Sequence, residues 1–171
     1  MADAASVKAA AIKLNKELKE LTKGTSESFS VGLVDEDNLF EWNVTMFGSP
    51  DSYYEGGMFK AIMKFPKTYP FEPPTLRFTS KMWHPNVYDD GRVCISILHR
   101  PEHDESGYED IAERWSPAQT VETILMSVIA MLNSPNDESP ANVDAAKMWR
   151  DDKKAYRKKV QRCVEQSMED W

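Results

Sequence analysis

Cys94 is one of two cysteines in the 171-residue chain; His84-Pro85-Asn86 precede it by eight to ten residues, and His99 follows five later. A thiol in this company admits three chemistries. As a thiolate it is both a nucleophile and a good leaving group, suited to carrying an acyl group between two partners. As a metal ligand it needs companions. No second cysteine lies nearby, and His84 and His99 have no recognised ligand spacing, so no metal site is expected. As a small apolar residue between Val93 and Ile95 it belongs in a core, where free cysteines are often found. No basic residue flanks the thiol directly, although His99 is not excluded as a base. Asn86 after a proline suits either a turn-stabilising amide or a donor to a developing oxyanion. His84 reads as a turn-holding ring, His103 as a solvated side chain in an acidic loop, and Cys163, sharing a helical face with Tyr156 and Val160, as inert core.

These residues need a scaffold, and periodicity supplies one. Val7, Ala11, Leu14, Leu18 and Leu21 recur at alternating steps of four and three, which predicts an amphipathic helix stopped at Gly24. Three alternating segments predict strands: Phe29, Val31, Leu33; then Phe40, Trp42, Val44, Met46; then Phe59, Ala61, Met63, Phe65. The short polar connections DEDN and GSPDSYYEGG favour an antiparallel meander, closed by a fourth strand in TLRF. FPKTYPFEPP carries four prolines in ten residues and is neither helix nor central strand. From Pro117 to Leu132 the period turns helical. SPNDESPAN breaks it, and two more helical stretches follow, ANVDAAKMWR and a lysine-rich final segment. One helix, four strands, an irregular stretch and three helices predict an α+β fold in a single domain over residues 1–171.

Twenty-eight acidic against twenty-one basic residues leave a net charge of −7, which excludes nucleic acid or an anionic membrane as the main partner and permits basic protein partners. The N-terminal segment lacks a signal-peptide apolar run, and ILMSVIAML is far short of the ~20 residues of a membrane span. Two reduced thiols in a soluble cytosolic or nuclear protein are expected.

His84-Pro85-Asn86, Gly91, Cys94 and Trp115-Ser116-Pro117 together resemble the ubiquitin-conjugating enzyme family. Tyr54-Glu55-Gly56-Gly57, Phe65-Pro66, Tyr69-Pro70, Pro73-Pro74, Pro135-Asn136 and Ser139-Pro140 match the family pattern in order and spacing, so the resemblance covers nearly the whole chain. It implies a Cys94 thioester to ubiquitin's C-terminus, loaded by the activating enzyme and passed to a lysine with a RING-type ligase, and no cofactor. It assigns Asn86 to the oxyanion and Pro85 to the supporting motif, and it implies a cis Tyr69-Pro70 bond. Ser139 falls where many members place an acid near the incoming lysine, so Asp137, Glu138 or an acidic loop must do that work. The implied ligase surface is the first helix, Phe71, the Ser116-Pro117-Ala118 turn, and Arg114 as a bridge to bound ubiquitin.

Members usually reach the WSP tripeptide within ten residues of the cysteine; here an insertion at about 99–114 intervenes. Its His99, Glu102, Asp104, Glu105, Glu109 and Asp110 are expected on the acceptor side. The insertion resembles the subgroup that builds polyubiquitin chains for the proteasome, including in endoplasmic-reticulum-associated degradation. Recruitment to that membrane would be through partners. The readings kept beside this one are a conjugator of another ubiquitin-like modifier and a non-catalytic ubiquitin-binding scaffold.

Overall fold

The computed structural model describes residues 2–100 and 113–171. Helix α1 spans Ala4–Lys23 and opens on Asp3, whose carboxylate accepts from the Ser6 N–H at 2.8 Å. Its most buried line is Ala10, Leu14 and Glu17, with Val7, Ala11, Leu18 and Leu21 half-buried beside it. The predicted stripe is thus correct in direction but omits a carboxylate at its centre.

Strands β1 (Phe29–Leu33), β2 (Glu41–Phe47), β3 (Met58–Lys64) and β4 (Thr75–Phe78) form one antiparallel sheet in sequential order. Period-two alternation sends Trp42, Val44 and Met46 of β2 and Phe59, Ala61 and Met63 of β3 to the buried face. Trp42 pairs with Met63 and Met46 with Phe59, so large side chains sit opposite one another across the ladder. They share one core with Ile124, Leu125 and Val128 of helix α2 (Val121–Asn133) and with Tyr156 and Val160 of α4 (Lys153–Glu169).

Helix α2 begins later than the periodicity predicts. Thr120 and Thr123 exchange hydrogen bonds in a capping box, Thr123 N–H to Thr120 Oγ1 at 3.3 Å and Thr120 N–H to Thr123 Oγ1 at 2.9 Å. Pro117-Ala118-Gln119 is therefore a turn. Helix α3 (Val143–Asp151) is capped by the Asn142 side chain, which accepts from Ala145 N–H. The proline-rich segment is irregular as predicted, and Tyr69-Pro70 is cis. Trp115 Nε1–H donates to the Pro70 carbonyl at 2.8 Å and so joins that segment to the WSP turn. The Trp115 backbone N–H donates to the His99 carbonyl at 3.0 Å across the base of the insertion.

Candidate active site

Chain register explains the spacing of Asn86 and Cys94. Val87 and Val93 form an antiparallel bridge, and the Tyr88 N–H donates to the Arg92 carbonyl at 2.9 Å. Continued one step outward, that register sets Asn86 opposite Cys94, whose N–H donates to the Asn86 carbonyl at 2.9 Å. The turn depends on Gly91, with φ at +93°, where a Cβ would overlap the Phe78 carbonyl oxygen. Cys94 is a free, half-buried thiol outside any regular element.

Of the three residues before the turn, His84 is bonded to the last turn of α2, and Pro85 and Asn86 to the segment that follows that helix. His84 Nε2 lies 2.8 Å from the Met131 carbonyl, and His84 Nδ1 accepts from the Asn86 N–H at 2.9 Å. With Nδ1 accepting, the ring is neutral and Nε2–H donates to a last-turn carbonyl of α2 that its own helix leaves without an N–H partner. Burial drives the His84 pKa down to about 4, against a smaller opposing effect of the Met131 bond. The Pro85 carbonyl accepts from the N–H groups of Ala141 and Asn142 at 2.8 and 3.0 Å. Asn86 Nδ2–H donates to the Asn136 carbonyl at 2.7 Å, and Asn86 Oδ1 accepts from the Asn136 N–H at 2.9 Å. Only 4% exposed, Asn86 is a two-point clamp between segments that are distant in the chain. Its amide nitrogen carries a second hydrogen, the group an oxyanion would use.

Trp83, just ahead of this run, is held by the Tyr54 hydroxyl, which donates to the Trp83 carbonyl at 2.6 Å and lies 2.9 Å from the Tyr156 hydroxyl. Tyr54 thus has a positioning role that its motif alone did not reveal. On the other side of Cys94, a 3-10 turn at Ser96–Leu98 reverses the chain and returns His99 toward the thiol. Nε2 of His99 is 4.0 Å from Sγ of Cys94, so a basic group stands near the sulfur although none adjoins it in sequence.

The other candidates divide. Phe71 is 74% exposed and Pro117 and Ala118 are exposed, while Ser116 is half-buried; the Trp115–Pro70 bond brings the two loops together. Arg114, expected as an outward bridge, is instead 2% exposed beside the buried Trp115, so this conformation does not present its guanidinium to a partner. Ser139 and Glu138 are exposed on the turn after α2, and Asp137 pairs with Arg150 at 3.7 Å. Arg100, at the start of the insertion, pairs with Glu72 at 3.1 Å. Glu102, Asp104, Glu105, Glu109 and Asp110, like His103, lie outside the described residues. Cys163 is buried, and burial pushes its thiol pKa up, partly offset by Lys81 and Lys159. Among the described residues no cluster of histidine, cysteine and carboxylate side chains could hold a metal.

The family model described as "Ubiquitin-conjugating enzyme" matches residues 13–164. The chain is 62% identical over 160 residues to "Ubiquitin-conjugating enzyme E2 7" of Arabidopsis thaliana, covering 94% of this chain and 96% of the relative. Over 156 residues it is 54% identical to "Ubiquitin-conjugating enzyme E2 15" of Schizosaccharomyces pombe, covering 91% and 93%. "Ubiquitin-conjugating enzyme E2 G2" of Homo sapiens is 53% identical over 156 residues, covering 91% and 94%.

Proposed function

The chain belongs to the ubiquitin-conjugating enzyme family, and from that premise we propose that Cys94 is its acyl carrier. Sγ attacks the activated C-terminal carbonyl of ubiquitin on the activating enzyme, whose own thiolate leaves. The resulting Cys94 thioester is then attacked by a lysine amine. The carbonyl oxygen gains charge, the C–N bond forms, the C–S bond breaks, and the amine proton is lost to base or solvent. Asn86 Nδ2–H is the oxyanion donor, with His84 and Pro85 holding the segment that aims it. The observation that carries this reading is the pairing of a half-buried thiol with a fully positioned amide on the facing arm of one turn.

A RING-type ligase docks on the first helix, Phe71 and the Ser116-Pro117-Ala118 turn; Arg114 joins only if it leaves its buried position. The acceptor side is His99 with Glu102, Asp104, Glu105, Glu109 and Asp110, whose negative charge draws a lysine-bearing ubiquitin and so extends polyubiquitin chains for proteasomal degradation. Ser139 is exposed and carries no charge of its own, so the insertion, Asp137 or Glu138 supplies the acid on that side. Among the described residues no helix is long and apolar enough to cross a membrane. The proposed setting is the cytoplasm and nucleus, with partners recruiting the enzyme to the endoplasmic reticulum surface.

The test is incubation with activating enzyme, ATP and a panel of modifiers, read on a non-reducing gel. Ubiquitin is expected as a reductant-labile adduct. Cys94→Ser should give a reductant-resistant ester and Cys163→Ser should charge normally. Loss of charging on Cys163→Ser, with a labile adduct surviving Cys94→Ser, would reverse the assignment. Preference for another modifier would replace ubiquitin as substrate, and no charging at all would leave a scaffold.

A further inference from the structure

Glu17 is a carboxylate on the inner face of α1, 7% exposed, in a place where the stripe would otherwise take an apolar residue. Burying a charge is costly unless partners replace its water, and here each oxygen has one. Oε2 accepts from the Tyr69 hydroxyl at 2.6 Å, and Oε1 accepts from the Val121 N–H at 2.8 Å. Lys13 Nζ stands 3.4 Å from Oε2 and 5.6 Å from the centre of the Tyr69 ring. Burial and the Glu17 bond both hold the Tyr69 phenol in its neutral, donating form.

The three elements meeting at Glu17 are the three that carry the proposed ligase surface. Tyr69 lies two residues before exposed Phe71. Val121 follows the Pro117-Ala118-Gln119 turn across the single cap residue Thr120, and its N–H opens α2, where a negative charge is favoured. Glu17 itself belongs to α1. Trp115 Nε1–H to Pro70 ties the two loops to each other but leaves the helix out. Glu17 bonds both loops to the helix.

We propose that Glu17 is a positioning residue for ligase docking, fixing the spacing between α1, the Phe71 loop and the Pro117-Ala118 turn through Tyr69 and Val121. This rests on the reading of that surface as the RING-binding face. A glutamine is nearly isosteric but has a single acceptor oxygen. One of the two donors would then face an NH2 group, and one loop would lose its registration to the helix.

The experiment measures ubiquitin discharge from the charged enzyme to free lysine at increasing concentrations of a RING domain. With Glu17→Gln the concentration giving half-maximal stimulation should rise about tenfold, within the range of coupling between directly bonded groups, while the plateau rate stays within about twofold. Tyr69→Phe, which keeps the ring and removes one strut, should give a smaller rise in the same direction. In the double variant the glutamine oxygen can serve Val121 alone, so the rise should not exceed that of Glu17→Gln. Val160→Ala, a core change in α4, serves as the stability control and should leave the half-maximal concentration unmoved at an equal loss of melting temperature. If Val160→Ala raises it as much, or if Glu17→Gln and Tyr69→Phe leave it unchanged while Phe71→Ala raises it, the positioning role is overturned and the docking face stands. If Phe71→Ala also has no effect, the docking face itself is wrong. Should Glu17→Gln fail to fold, Tyr69→Phe decides alone, between a rise and none.

Discussion

Replacing Asn86 with alanine removes both arms of the clamp and leaves the Asn136 N–H and carbonyl without those partners. Each buried hydrogen bond contributes about 1–1.5 kcal/mol net, so the loss should be roughly 2–3 kcal/mol. For a domain of this size that corresponds to a fall in melting temperature of roughly 4–12 °C. A separate effect is expected on chemistry. If the second Nδ2 hydrogen meets the oxyanion, single-turnover discharge of the ubiquitin thioester to lysine should slow by about 10². Charging involves the same carbonyl but a better nucleophile, and should suffer less. Melting would be followed by circular dichroism, and discharge by quenched-flow gels well below the melting point of the variant, after matching the charged fraction. Asn86→Asp sharpens the comparison, because it keeps an acceptor for the Asn136 N–H but sets a carboxylate oxygen against the Asn136 carbonyl. An unchanged melt for Asn86→Ala would refute the clamp as a stabilising device. Discharge equal to wild type at matched charging would refute the oxyanion role even if the melt falls.

His84 should stay neutral, as the Nε2–H tautomer, to well below pH 5 in long-range nitrogen NMR spectra. Its folded pKa of about 4 lies below the unfolded value of about 6.5, so its contribution to stability is complete above pH 6.5 and is lost as pH falls toward 4, roughly 3 kcal/mol in all. Titration of the His84 ring itself near pH 6.5 in the folded protein, resolved from His99 and His103 by assignment, would contradict the buried geometry. Charge reversal at Asp104, Glu105, Glu109 and Asp110 should leave thioester formation nearly unchanged and slow chain extension. Raised salt should slow wild-type extension too, since screening acts over ~10 Å at 0.1 M. Unimpaired extension by the charge-reversed protein would remove the acidic insertion from the acceptor side.

Much of the scaffold is legible from periodicity because the sheet buries one face. Trp42, Val44 and Met46 alternate as the pleat requires, and the same pattern in β3 sets the opposing row. The candidate thiol was legible too, through the residues around it and the glycine that the turn demands. What could not be read were bonds to backbone groups far along the chain. Nothing in Asn86 announces that Asn136 will meet its amide, nor in His84 that Met131 will offer a carbonyl, because any residue supplies the same backbone atoms. Glu17 did leave a sign, a carboxylate three residues after Leu14 and four before Leu21 on an apolar face. Helix α2 starts at Val121 rather than Pro117 because Thr120 and Thr123 set the boundary by hydrogen bonding, and the buried apolar period itself begins only at Val121.

The bond from the Trp115 N–H to the His99 carbonyl has a bearing on how such a chain can diverge. A segment whose two ends are fastened to each other is grafted on the scaffold as a cassette, and its closure cost rises only with the logarithm of its length, about 0.6 kcal/mol per doubling. Residues can therefore be added, deleted or recoded between Arg100, held by Glu72, and the buried Arg114 without moving the thiol, the amide opposite it or the indole that joins the loops. On the proposed reading of the insertion as the acceptor side, acceptor preference could then evolve, or be engineered by exchanging the cassette, independently of the proposed acyl carrier.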